Sequence, residues 1–292
     1  MENVTNLRQA ENNVYVEGIL SEKNLKEELK DNIPYISGSV TIKTSDVNFV
    51  RFNVNVSSLK KDKTPNGFYS GIKTVLNEFK SIAEVGEEQA DRVRVDSNDG
   101  INPYFSVKTN KTVLNFKSNV FNRISKDDCV PQALFSVEIY IRNIVPEMDK
   151  NSMPTNRTMV YGWLPTYSGI EEITLVADQD IGNALQSSYT AGQTVKFLGD
   201  IVNNRIEKVI EIPVAIGKPR IEKKVEYKND MLITGVTPPY EEGVTVFPPY
   251  PKEAIDKAVQ ERSNKIAEKQ AKENGVSSDK PSGASRGRTL GF

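Results

Sequence analysis

The stretch 47–83, VNFVRFNVNVSSLKKDKTPNGFYSGIKTVLNEFKSIA, contains a change of hydrophobic period. Over 50–56 the apolar residues fall at every second position. Val50, Phe52, Val54 and Val56 then share one face of a strand, and Phe49, Arg51, Asn53 and Asn55 share the other. Over 70–83 the spacing lengthens, and Ile72, Val75, Leu76, Phe79, Ile82 and Ala83 gather on one side of a helix. A half-buried strand followed by an amphipathic helix anchors the reading of the chain around it.

Working outward, period-2 alternation marks strands at 14–20 and 36–43 before this stretch and at 92–95, 104–107 and 112–121 after it. Asn98-Asp99-Gly100 suits a tight hairpin. Three strands, a helix and further strands follow the β-β-β-α-β-β order of the five-stranded Greek-key barrel called the OB-fold. Segments at 133–144, 158–164 and 173–177, a short helix near 181–188, and segments at 194–202 and 209–216 repeat it. The expected fold is mainly β, two tandem OB-fold-like Greek-key barrels with a C-terminal helix and a disordered tail. Lys126-Asp127-Asp128 before Val130-Pro131 divides them, so the domains are 1–128 and 129–236.

Residues 237–251 hold five of the fifteen prolines and read as a linker or extended arm. In 252–274, Glu253/Lys257, Glu261/Lys265 and Glu268/Lys272 have the favourable i, i+4 spacing of a charged helix. Residues 275–292 are too polar to offset their chain entropy and read as a disordered tail.

Composition restricts the chemistry. The 292 residues include no His and one Cys, with 38 Lys plus Arg against 39 Asp plus Glu. A Ser-His-Asp triad, a Cys-His dyad and a Cys- or His-rich zinc site are therefore excluded, and the expectation is a binding protein without metal or cofactor. Gly217-Lys218 is followed by Pro219, so no phosphate loop forms there. Asp178 and Asp180 suit helix capping better than a Mg²⁺-dependent nuclease. No apolar run reaches the roughly 18 residues of a membrane helix, and MENVTNLRQAENN lacks the pattern of a signal peptide, which suggests a cytosolic protein without membrane partners.

The charge is balanced overall but clustered locally. Residues 100–126 carry Lys108, Lys111, Lys117, Arg123 and Lys126 and no acidic residue. Read as one strand, 112–123 places Lys117, Phe121 and Arg123 on one face, as 49–55 places Phe49, Arg51 and Asn53. Rings beside cations and amides suit single-stranded nucleic acid, because rings stack on any base while cations follow the phosphates. Lys60 and Lys61 in the next loop extend that track. Tyr161 and Trp163 share a face in the second half as a second stacking platform, near Tyr140 and Arg142, and Arg220, Lys223 and Lys224 form a further basic cluster.

The tandem barrel order, the basic aromatic strand VLNFKSNVFNRI, the segment EYKNDMLITGVTPPY and the charged helix before a flexible tail together resemble single-stranded-DNA-binding proteins encoded by tailed bacteriophages. The resemblance implies a cofactor-free protein that coats exposed strands during phage replication and recombination in the cytoplasm of an infected bacterium. DNA rather than RNA follows from the resemblance alone. It also implies that Phe292 docks replication or recombination partners, although Arg286 and Arg288 stand where such tails are acidic. A rival reading makes the barrels parts of a virion structural or assembly protein, with the outward rings as subunit contacts.

Overall fold

The alternation at 49–57 becomes strand β3 (Phe49–Ser57), with Val50, Phe52, Val54 and Val56 buried and Arg51, Asn53 and Asn55 exposed. The computed structural model describes residues 7–212 and 220–276. Before β3, β1 (Asn12–Lys30) pairs antiparallel with β2 (Ile33–Lys43), and β2 pairs with β3. The charged half of β1, NLKEELK, is strand as well, held by its register with β2 rather than by its own pattern.

The helical stretch folds as two pieces, α1 (Gly67–Glu78) and α2 (Ile82–Val85). Asn66 caps α1 by accepting from the Phe68 N–H. Phe79 turns extended and buries its ring, and the Lys80 N–H goes to Asp91 at 2.7 Å, which separates the helices. The chain then enters β4 (Arg92–Asn98), antiparallel to β1.

Asn98-Asp99-Gly100 forms a turn with Asp99 at φ +60°, but not the expected hairpin. The hairpin comes later, from β5 (Tyr104–Ser106) and β6 (Lys111–Val113). The expected strand 112–121 is broken. After β6, β7 (Phe116–Lys117) runs parallel to β3, and β8 (Asn122–Ile124) runs antiparallel to β4. The two short pieces close the first barrel in the order β1-β2-β3-β7/β8-β4.

The second barrel repeats this path with β9 (Gln132–Met148), β10 (Pro154–Thr166), β11 (Gly169–Ala177), α3 (Gln179–Ser188), β12 (Thr194–Ile212) and β13 (Arg220–Val236). Neighbours pair antiparallel except β11 and β13, which meet in parallel at Val176 and Leu232 to close the barrel. The last strand is thus 220–236 rather than 209–216, whose described part continues β12. Asp178 stands at the N-cap of α3 and Asp180 in its first turn. Both barrels are OB-like five-stranded closures with helix between the third and fourth strands.

The barrels share sheet. Residues 12–17 of β1 pair with 132–137 of β9, and the Asn48 side chain donates to the Ile201 carbonyl (3.0 Å) and accepts from the Asn203 N–H (2.6 Å). At Gly18, β1 passes from β4 to β2, and a Cβ there would lie 2.2 Å from the Lys43 carbonyl oxygen. Only glycine permits that backbone approach.

Residues 237–251 lie on the second barrel as an extended arm. The Tyr240 N–H bonds the Thr194 carbonyl, the Tyr250 N–H bonds the Thr194 hydroxyl at 2.8 Å, and Tyr250 is buried. Helix α4 (Lys252–Val276) buries Ile255 and Ala258 and reaches back to the first barrel, where Gln270 donates to Asn110 at 3.0 Å.

A buried carboxylate fastens the junction. Glu17 accepts from the Tyr15 hydroxyl (2.5 Å), Arg94 Nε (3.1 Å) and the Val130 N–H (2.9 Å). Burial opposes its ionisation, but these bonds prevail and hold the carboxyl below its ordinary range. Because the folded value is lowered, its stabilisation is complete above the ordinary carboxylate range and disappears as pH falls through the lowered value. Glu17→Gln should therefore lower the urea midpoint at neutral pH and converge with the parent chain as pH falls through the lowered value. Parallel curves across that window would contradict this role.

Candidate nucleic-acid interface

The parallel pairing of β3 with β7 brings the two basic stretches together. Asn53 stands in register with Lys117, while Phe52 and Phe116 turn inward. The outer ribbon carries Arg51, Asn53, Asn115 and Lys117, with Asn53 donating to Asn115 at 2.7 Å. The β5–β6 hairpin stands over it and presents Tyr104, 47% exposed.

Three concavities follow segment 112–120. One of about 290 Å³ lies against the second barrel, lined by Tyr161, Arg142, Thr112 and Leu114. Glu172 and Asp230 also line it, answered by Arg142 at 2.5 Å and Arg157 at 2.6 Å. The middle one, about 500 Å³, is lined by Arg51, Asn53, Tyr104, Asn115, Asn203 and Asn229 among others, and no carboxylate lines it. The third, about 330 Å³, holds Lys117, Asn119 and the half-exposed Phe68 ring. The first and second share Leu114 and Asn229, so the line crosses from one barrel to the other.

The predicted residues separate by environment. Among the described residues, Arg51, Lys60, Lys61, Lys108, Lys111 and Lys117 are exposed and make no side-chain ion pair or hydrogen bond. Lys60 and Lys61 extend from the far end of β3, and Lys108 and Lys111 sit on the β5–β6 hairpin. Arg123 is otherwise engaged: it pairs with Asp91 at 3.1 Å, donates to the Glu78 carbonyl and lies 4.4 Å from the Phe79 ring centre.

Phe121 corrects the expectation. Its ring is buried in the barrel core, edge-on to Phe52 at 6.1 Å between centroids. The Ser118 hydroxyl bonds both the carbonyl and the N–H of Val120, and this kink shifts the strand's parity, so Phe116 and Phe121 both face inward. Phe49 keeps its outward parity but is half-buried next to Asn48 at the barrel junction, away from the middle concavity.

Tyr161 lines the first concavity, with Arg142 5.5 Å from its ring centre. Trp163 is half-buried between two guanidiniums, Arg142 at 5.4 Å and Arg262 at 5.8 Å. Tyr140 is buried. Phe292 lies outside the described residues. Tyr104, Phe68, Asn203 and Asn229 are members of the surface that strand patterning does not single out, because the fold assembles them from separate loops and both barrels.

Among the described residues, no group of three His, Cys, Asp or Glu side chains is placed to hold a metal ion, and no helix is long and apolar enough to cross a membrane.

No curated protein matches the chain. Several solved structures are similar to it, two of them forms of one protein. The wild-type single-stranded DNA binding protein from Thermus aquaticus aligns with 7% identity and a TM-score of 0.49, covering 82% of this chain and 98% of that one. A deletion mutant of the same protein aligns with 9% identity and a TM-score of 0.49, covering 84% and 98%. A family model described as YorF matches residues 10–272, most of the chain, which therefore belongs to the YorF family.

Proposed function

We propose that this protein binds single-stranded DNA without sequence preference along the line of concavities, and that it protects exposed strands during phage DNA replication and recombination. The supporting observation is the middle concavity, where Arg51 has no ionic partner among the described residues, Tyr104 is half-exposed, four asparagines converge and no carboxylate lines the wall. OB-folds take oligonucleotides on the face of their second and third strands and on the loop between the fourth and fifth. In the first barrel those elements are β2, β3 and the β5–β6 hairpin. Tyr104, Tyr161 and Phe68 stack bases, Arg51, Lys117, Lys60 and Lys61 neutralise phosphates, and the asparagines reach sugars and base edges. The replication and recombination role rests on the sequence resemblance to phage proteins.

The test is oligo-dT titration over a salt series. With about four phosphates neutralised, log K should fall against log salt with a slope near about −3. Arg51→Ala with Lys117→Ala should reduce that slope by about 1.4, and since two such contacts lose about 25-fold between 0.1 and 1 M salt, affinity at 0.1 M should drop by about that factor. Tyr104→Ala should cost about 1–3 kcal/mol while leaving the slope unchanged. Salt-independent binding, or no binding to oligo-dT, would sink the proposal.

A further inference from the structure

Strands β12 and β13 run on past the barrel as a two-stranded ribbon, in register from Asn203 with Asn229 out to Ile212 with Arg220. Strand β13 meets β11 only at Leu232. Among the described residues, the outer edge of 220–230 therefore has no strand partner. An isolated ribbon is marginal in water, and an open edge is a template for another strand. Ile221 and Tyr227 are 64% and 69% exposed on one face of this one.

The sequence of that edge identifies its partner. An antiparallel strand pairing with its own copy across a two-fold axis meets its own sequence reversed, with directly opposed residues on the same face. About Val225, reversal inverts charge: Lys224 falls opposite Glu226, and Glu222 opposite Lys228. In sequence the pattern continues to Arg220 and Asp230. Each opposition occurs twice across the axis. Moving the centre one residue either way sets like charges opposite each other, Glu222 against Glu226 or Lys224 against Lys228. Within one chain, Glu226 takes Lys208 at 2.6 Å across the ribbon and its own Lys224 at 3.8 Å along the strand, and on the open edge Lys224 of a second copy would stand directly opposite it.

We propose that β13 is a homodimerisation edge, pairing antiparallel with β13 of a second copy about a two-fold axis at Val225. The two ribbons become one four-stranded sheet, with Ile221 opposite Asn229 and Tyr227 opposite Lys223 on one face and opposite charges interleaved on the other. Opposite charges directly across a strand pair stabilise the register and like charges break it. Dimerisation would also hold two DNA-binding lines on one particle, where each raises the effective concentration of the other.

Sedimentation equilibrium of the full chain tests this, with circular dichroism confirming that each variant is folded. The parent chain should sediment near twice its 32.6 kDa. Lys224→Glu alone and Glu226→Lys alone should each sediment as single chains, because each sets like charges opposite twice. An equimolar mixture of the two variants should recover the two-chain mass, since the carboxylates flanking Val225 in the first variant would then face the ammonium groups flanking it in the second. That recovery is specific to a centre at Val225. A parent chain that stays single, variants that keep the two-chain mass, or a mixture that stays single would each overturn the proposal.

Discussion

Phe121→Ala should destabilise the protein by about 3–5 kcal/mol, the usual cost of truncating a buried phenyl ring, measured as a fall in the urea midpoint at unchanged m-value. Phe121, Phe52 and Phe116 form a three-ring cluster where the broken closing strand crosses the barrel, with centroids 6.1 and 6.2 Å from Phe52. Removing one ring leaves a cavity between β3, β7 and β8, the pairings that close the barrel. Affinity for oligo-dT should be unchanged under conditions where the variant is still folded. A variant with parent stability and weakened DNA binding would return Phe121 to the surface.

Arg8→Ala should have an effect of the same order. The Arg8 guanidinium forms a double hydrogen bond to the Glu138 carboxylate, donates to the Pro248 carbonyl at 3.0 Å, and lies 4.5, 4.9 and 5.9 Å from the rings of Tyr250, Phe247 and Tyr240. Glu138 is fully buried. Without Arg8 its charge would have no cationic partner among the described residues, a loss of about 3–5 kcal/mol. The arm 237–251 would also lose the guanidinium its three rings surround. Burial, reinforced by the Glu138 charge, pushes the Tyr240 phenol up to about 12 and the Tyr250 phenol higher still. Both rings thus stay neutral beside the ion pair. Adding Glu138→Gln to Arg8→Ala should recover much of the stability, as read from urea midpoints. If the single variant matched the parent, Arg8 would not be the arm's anchor.

Both effects arise from contacts between residues far apart in sequence, and this separates what could be read from the chain alone. The alternation at 49–57 and the longer period at 70–83 report burial along one element, so β3 and the helical stretch were legible there, as was the order of elements as far as β4 in the first half and β12 in the second. The cation-rich stretch 100–126 was legible as well, because charge is carried by residue type. The face on which Phe121 lies was not, since parity holds only while a strand is unbroken, and the Ser118–Val120 kink is set by how β7 and β8 must reach β3 and β4. Residues 220–224 read as a basic cluster rather than as the start of the closing strand of the second barrel, because in a solvent-exposed ribbon neither face selects for apolar residues.

Sequence by itself determined the fold class, the repeated order of elements and the local clustering of cations, all of which follow from local period and composition. Only the tertiary structure decided which rings stay outside. It buried Phe121, half-buried Phe49 and brought Tyr104 beside Arg51 and Asn229, because closing each barrel and joining β1 to β9 sets long-range neighbours that no local pattern encodes.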